Sequence, residues 1–311
     1  MSHDLNQMLD KKINIGGQAV IGGVMIRGPS KYVVAVRKNK KIATKTGTIK
    51  RKKYHFLKWY FFRGFVNLIE MLVIGIKSLM WSAQQAAPKE EKIGKNELIF
   101  TILISIAIVI LFFIALPYFL TNLIGFAEEA NPIFFNIIDG MIRILIFLIY
   151  IVAISFIKDV KILFQYHGAE HKSIHCYEKG RTLSVSNVKK FTTLHPRCGT
   201  SFLLIVFIVS IIVFALLPSI ILFYAPDFSD LNVWIRKLIL FPVRILAIPA
   251  IAGVSYEILK ISDKYQKNLL FKLISTPGLW LQKITTKEPT HKQIEVAISS
   301  LKTLLKLERN K

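Results

Sequence analysis

The sequence predicts an all-α membrane protein: a four-span transmembrane helix bundle with a re-entrant or interfacial helix and a small cytoplasmic β-rich segment at its N-terminus. Three observations predict it. Of 311 residues, 53% are apolar and only 20% charged, a balance too apolar for a soluble domain of that size. Four stretches, about 97–122, 133–156, 200–224 and 235–259, are long enough to cross a hydrocarbon core of roughly 30 Å as helices that satisfy their own backbones. The 42 Lys and Arg residues are unevenly spread: residues 1–55 hold thirteen, 158–199 eight and 260–311 eleven, whereas the short loops 123–132 and 225–232 hold none.

Residues 1–55 read as the β-rich segment. The run Gly16-Gly17-Gln18-Ala19-Val20-Ile21-Gly22-Gly23-Val24-Met25-Ile26-Arg27-Gly28-Pro29 is punctuated by glycines. After it, Tyr32-Val33-Val34-Ala35-Val36-Arg37 leads through a Lys38-Asn39-Lys40 turn to a second strand from Lys41, as strands bounded by turn residues do. Glycines also let backbone amides approach a phosphate, but this run matches neither the P-loop nor the dinucleotide fingerprint, so a small sheet is the stronger reading. The first fifty residues lack an uninterrupted apolar core, and no cleavable signal peptide is expected.

Residues 56–86 are apolar, yet Arg63, Asn67, Glu70 and Lys77 recur at helical spacing on one stripe, with Trp59 and Trp81 near the ends. A crossing here would put the basic N-terminus outside, against the charge rule. An interfacial or re-entrant helix, or a helical hairpin, is expected, its polar stripe facing protein. An ordinary fifth span is the competing expectation.

The membrane domain, 97–259, follows. Its two Lys- and Arg-free loops carry Glu128, Glu129, Asp227 and Asp230, so the positive-inside rule puts both termini and the loop 158–199 in the cytoplasm of a multi-pass plasma-membrane protein. The net charge of +23 is then explained by the anionic inner leaflet as partner, and no nucleic acid is required. Asp139 and Arg143, four apart on the second span, and Arg244 on the fourth are expected to form an internal ion-pair brace. No span carries the ladder of ligands that a metal-transport path would need.

The loop 158–199 holds the chemistry. Four of the seven histidines and both cysteines lie between His167 and Cys198. His167, His171 and His175 stand at i, i+4 and i+8, one face of a helix, and His195-Pro196-Arg197-Cys198 follows. Imidazole and thiolate at such spacing suit a divalent, borderline-soft ion, zinc above all. His167-Gly168-Ala169-Glu170-His171 also fits His-x-x-Glu-His, the inverted zincin pattern, in which a glutamate between two metal-binding histidines serves as proton acceptor.

Five residues make a short pattern, and a third ligand must come from elsewhere. His175, Cys176, Glu178, His195 and Cys198 are the candidates. An open catalytic set would be His167, His171 and His195 with Glu170 as base; a closed structural set would be His171, His175, His195 and Cys198. Cys198 is the better ligand of the two cysteines. Cys176 points about 100° away from His175 on the helix and is expected to pack, and a disulfide is not expected in the reducing cytoplasm. Lys172 and Arg197 are read first as headgroup contacts and second as holders of an anionic substrate. In the helical tail, 260–311, Thr290-His291-Lys292-Gln293 has the form of a capping box, and Ile294, Ala297, Ile298, Leu301 and Leu305 share one side of the helix it would start. That is a docking helix.

The runs Gly16–Ile21 and Met25–Pro29, the His167–Lys172 block, His195–Phe202, Pro277–Gln282 and Thr285–Pro289 resemble the bacterial YqhQ-like family, a domain-of-unknown-function family of predicted metal-dependent membrane enzymes. The resemblance spans nearly the whole chain and implies a metal site without naming a substrate. At Gly22 family members commonly carry a glutamate. If that carboxylate serves their site, this chain lacks it. The expected function is a metal-dependent hydrolase acting on a peptide, lipid or phosphorylated substrate at the inner face of the membrane. A scaffold or assembly factor with a structural metal is the alternative, and a metal transporter the least favoured reading.

Overall fold

The N-terminal strands are held by turns that their residues dictate. β1 (Gly16–Val20), β2 (Gly23–Arg27), β3 (Lys31–Lys38) and β4 (Lys41–Thr48) form an antiparallel sheet in sequence order. Asn39 takes the left-handed conformation, with φ of 54°, in the β3–β4 turn, where Asn is tolerated. The computed structural model describes residues 13–49, 59–86, 95–128 and 130–309; the remainder of the expected β-rich segment, residues 56–58 and Glu129 lie outside the described residues.

The chain is mostly helical. After the sheet come α1 (Tyr60–Ala86), α2 (Lys95–Ile110), a π-helical turn (Leu111–Ala115), α3 (Leu116–Leu123) and α4 (Pro132–Ser155). Next are α5 (Lys158–Glu178), α6 (Val185–Lys189), α7 (Gly199–Tyr224), α8 (Val233–Lys264), α9 (Leu269–Thr285) and α10 (His291–Arg309). Among the described residues, five helical stretches are long and apolar enough to cross a membrane: Phe62–Ala86, Ile99–Leu123, Pro132–Ser155, Gly199–Tyr224 and Ile235–Lys264. α7 packs between α4 and α8. Inside the bundle Arg143 donates to Asp139 at 2.7 Å, while Arg244 reaches Glu128 at 3.2 Å and Asn136 at 3.1 Å. These contacts form the expected brace.

Both faces of the sheet are covered, which is why its central strands read as continuous apolar runs instead of alternating. Val24, Ile26, Val33 and Ala35 face α5 and α10. Val20, Met25, Val34 and Val36 face Met71, Ile74 and Trp81 of α1. Each of the fully buried Val, Ile and Met side chains contributes about 1.5–3 kcal/mol, and the short β1–β2 and β3–β4 turns set the register. α10 opens with a reciprocal capping box: Thr290 N–H donates to Gln293 Oε1 at 2.7 Å and Gln293 N–H to Thr290 Oγ1 at 3.4 Å. It buries Ile294, Ala297, Ile298 and Leu301. Near its end Glu308 accepts the N–H groups of Ser30 and Lys31 at 2.7 and 2.8 Å. The amides after Gly28-Pro29 therefore serve the chain's own carboxylate.

α1 has two settings. Its first turns meet the last third of α8, with Arg63 on Glu257, Asn67 Nδ2 donating to Tyr256 Oη at 3.1 Å, and Gly64 against Gly253. Its later turns lie on the sheet, where Ser82 Oγ accepts Ile21 N–H at 3.1 Å, and Glu70 pairs with Arg27 at 2.9 Å. The opposite face leaves Ile69, Leu72, Val73, Ile76 and Met80 exposed.

Candidate metal centre

The histidine helix α5 packs its other faces on β1, β2 and α10, so its histidine stripe is held rigidly against segments distant in sequence. It ends in a Schellman motif, with Arg181 N–H on Cys176 O at 3.0 Å, Gly180 N–H on Tyr177 O at 2.9 Å and Gly180 at φ of 65°, the left-handed position that favours glycine. Across the stripe runs the His195–Cys198 turn, antiparallel to the helix. Cys198 lies beside His167 and His195 beside His175.

The stripe is thereby divided. His167, His171 and Cys198 bring one donor atom each within 4.8 Å of one another, and His175, Glu178 and His195 do the same a turn further on. His167 Nδ1–H donates to Thr285 O at 2.9 Å and His171 Nδ1–H to Thr193 O at 2.5 Å. A carbonyl can only accept, so both rings carry the proton on Nδ1 and turn the Nε2 lone pairs toward the Cys198 thiol. Cys198 Sγ stands 3.3 Å from His167 Nε2. Cys198 also caps α7, its sulfur accepting Thr200 N–H at 3.5 Å, at the positive end of a helix dipole, which favours an anionic donor.

The second group spends most of its donors and acceptors on internal partners. His175 Nε2–H donates to Leu194 O at 2.8 Å. His195 accepts Arg197 N–H on Nδ1 at 3.2 Å and approaches Glu178 with Nε2 at 3.3 Å. The Arg197 guanidinium pairs with the same Glu178. His195, expected in the open set with His167 and His171, thus lies with His175 and Glu178, and Cys198 stands in its place.

Glu170 is the anomaly. It is buried, its Oε2 has no hydrogen-bond partner, and that oxygen lies 4.0 Å from Nε2 of both His167 and His171. Burial pushes its carboxyl up, against the opposing pull of His167 and His195. Burial likewise lowers His171, His175 and His195, holding those imidazoles in the neutral form that binds metals. A cavity of about 40 Å³ fronts the group, more than the roughly 10–15 Å³ that one water needs. Two soft or borderline donors, a thiol and an orphaned carboxylate oxygen around such a cavity fit a divalent ion such as zinc.

Strand β1 closes the other side. A Cβ on Gly17 would lie 2.8 Å from Glu170 Oε1 and 2.6 Å from Met25 O, whereas one on Gly16 would meet nothing within 4 Å. The glycine run is thus explained at Gly17 by close approach to the carboxylate. Gly22 is a different matter: it turns from β1 to β2 with φ of 68°, at the far end of the strand, so a side chain there does not serve the site.

Several supporting groups were not found by sequence reasoning. The carbonyls of Thr193, Leu194 and Thr285 orient the rings. Gln282, fully buried, clasps the turn by accepting His195 N–H at 2.7 Å and donating to His195 O at 2.9 Å. Their only trace in the sequence is that Gln282 and Thr285 fall in motif strings. Lys172 is a correction. It is buried, donating to Glu288 at 2.5 Å and Lys189 O at 3.1 Å, so its ammonium is spent inside the fold and is not presented at the surface to a headgroup. Cys176 packs in the core as expected.

A family model described as protein of unknown function (DUF1385) matches residues 59–307. The chain belongs to the DUF1385 family. A relative from Bacillus subtilis (strain 168), the uncharacterized protein YqhQ, is 35% identical over 316 aligned residues, covering 94% of this chain and 92% of the relative. No solved structure matches significantly. The DUF1385 match takes in α5, the His195–Cys198 turn and the stretch after α9, and begins after β1, which stands against Glu170.

Proposed function

We propose that this DUF1385 protein is a membrane-embedded, metal-dependent hydrolase whose ion is held by His167, His171 and Cys198, with Glu170 as its proton acceptor. The observation that carries the reading is the unpartnered Oε2 of Glu170, 4.0 Å from Nε2 of each histidine. A buried carboxylate oxygen without a partner costs about 1–3 kcal/mol or more, a cost that function retains. A divalent ion at the three donors would supply Lewis-acid polarisation of a substrate oxygen. The chain's own part is to hold both imidazoles by their Nδ1–H groups, exclude bulk water by burial, and accept a proton at Glu170 and return it to the leaving group. His175, expected among the ligands from its spacing, and His195 brace the turn in this reading.

Four spans with both termini and the centre on the cytoplasmic face of the plasma membrane accompany the proposal, α1 being re-entrant. Supporting this, Arg63, Gly64 and Asn67 of α1 meet Glu257, Gly253 and Tyr256 near the end of α8 before α1 enters the sheet, and the 225–232 loop carries no Lys or Arg. A cysteine placed at Asp230 should react with an impermeant thiol reagent on intact cells, and one at Lys189 should not. Labelling at Lys189 from outside would overturn the placement.

The small size of the cavity favours a second reading, a scaffold whose metal only folds the loop. Glu170→Gln separates the two. As a hydrolase, the variant keeps its metal and folding but fails to complement a deletion strain. Full complementation by a metal-replete variant would leave the scaffold.

A further inference from the structure

Next to the metal centre lies a larger cavity of about 520 Å³, which shares Ile15, Gly16 and Arg197 with it. The volume is that of a small-molecule site, roughly 300–1,000 Å³. Its charges are one-sided: Arg27, Arg197 and Lys260 line it against a single carboxylate, Asp263. Arg27 is held by Glu70, and Arg197 by Glu178 and Asp263. A guanidinium has five donors, so each retains capacity for an anion. Lys260 is exposed and has no carboxylate partner among the described residues.

The other wall is apolar, with Met71 from α1 and Leu259 from α8. The sequence places this wall at a boundary. Leu259 ends the apolar stretch 235–259, and Lys260 begins the basic tail. A ligand filling the chamber would therefore have an anionic head beside the metal centre and an apolar part toward the membrane, the amphiphilic pattern that matches both walls at once.

We propose that this chamber binds a phospholipid with a net-anionic headgroup as the substrate class of the site, its headgroup held by Arg27, Arg197 and Lys260 and its acyl part against Met71 and Leu259. The assignment rests on the hydrolase reading above, but its test does not. Binding of dioctanoyl phosphatidylglycerol, dioctanoyl phosphatidylcholine, glycerol 3-phosphate and an acidic peptide to the full chain in neutral detergent would be measured by native mass spectrometry and titration calorimetry.

Phosphatidylglycerol should bind about tenfold or more tightly than phosphatidylcholine, the worth of one charge-assisted contact. Lys260→Glu, at an exposed position that folding does not depend on, should weaken it by about tenfold, and Lys260→Gln by less. Glu170→Gln should leave binding unchanged, so retained binding together with full complementation by that variant would sink the hydrolase reading and spare the chamber. Equal binding of the two lipids, or indifference to Lys260→Glu, would overturn the proposal. Glycerol 3-phosphate binding as tightly as the lipid would assign the chamber to a soluble ester instead, and preference for the acidic peptide would assign it to protein; either result overturns the lipid.

Discussion

The two histidine groups on α5 use the same residue types on the same helical face, and they differ in what their nitrogens have left. Around His167, His171 and Cys198, backbone carbonyls take the Nδ1–H groups and leave Nε2 lone pairs facing a thiol and an unpartnered carboxylate oxygen. Around His195 and Glu178, amide and guanidinium partners consume the same valences, and His175 spends Nε2 on a carbonyl and keeps only Nδ1. Metal-ligand spacing in sequence therefore reports candidates, and hydrogen-bond accounting decides which lone pairs remain.

The widest contrast is between the two carboxylates. Glu170→Gln should reduce activity by about 10²- to 10⁴-fold, the usual worth of a general base, with metal content unchanged. Glu178→Gln should cost far less, because its partners are Arg197 and His195. Complementation of a deletion strain scored beside elemental analysis checks this, and equal losses would mean that the two groups are not functionally distinct.

Metal content comes next. His171→Ala should lower affinity for divalent metal by more than about 100-fold, since loss of a direct ligand outweighs the 10- to 100-fold effect of outer partners. His175→Ala should keep the wild-type stoichiometry. Metal lost equally from both variants would merge the groups into one closed site.

A smaller effect separates two adjacent glycines. Gly17→Ala forces β1 off Glu170 and Met25 and should cost about 1–3 kcal/mol, read as a lower melting temperature. Gly16→Ala has open space and should stay within about 0.5 kcal/mol.

The last contrast concerns pH. In chelated protein the folded His171, His175 and His195 lie below the ordinary imidazole value, so they stay neutral while the unfolded chain protonates. Their contribution to stability is present above about 6.5 and is lost as pH falls below it, by up to about 1.4 kcal/mol per pH unit for each group. Glu170, raised by burial, works in the opposite sense: its contribution is lost as pH rises from the ordinary carboxylate range. Three imidazoles against one carboxyl should make stability decline between pH 7 and 5.5. His175→Asn should flatten that slope without altering metal stoichiometry, and an unchanged slope would remove His175 from the titrating set.

The long apolar stretches, the hairpin around Lys38-Asn39-Lys40, the capping box at Thr290 and the i, i+4, i+8 histidines were legible because each is set by local periodicity or by a turn residue's own backbone preference. The Asp139–Arg143 pair was legible for the same reason, being one helical turn apart. Nothing local could show that Lys172 would be buried against Glu288, 116 residues away, or that Gly17 is small because Glu170 stands against it. The choice of Cys198 over His195 beside His167 and His171 was equally hidden. It follows from the direction in which the 195–198 turn crosses α5, which the Gln282 clasp on His195 holds. The sequence by itself determined the helices, the strand pattern and the inventory of ligand types, through short-range sterics and hydrophobic period. Tertiary packing alone decided which lone pairs are spent on backbone carbonyls and which stay free, because that depends on segments brought together from opposite ends of the chain.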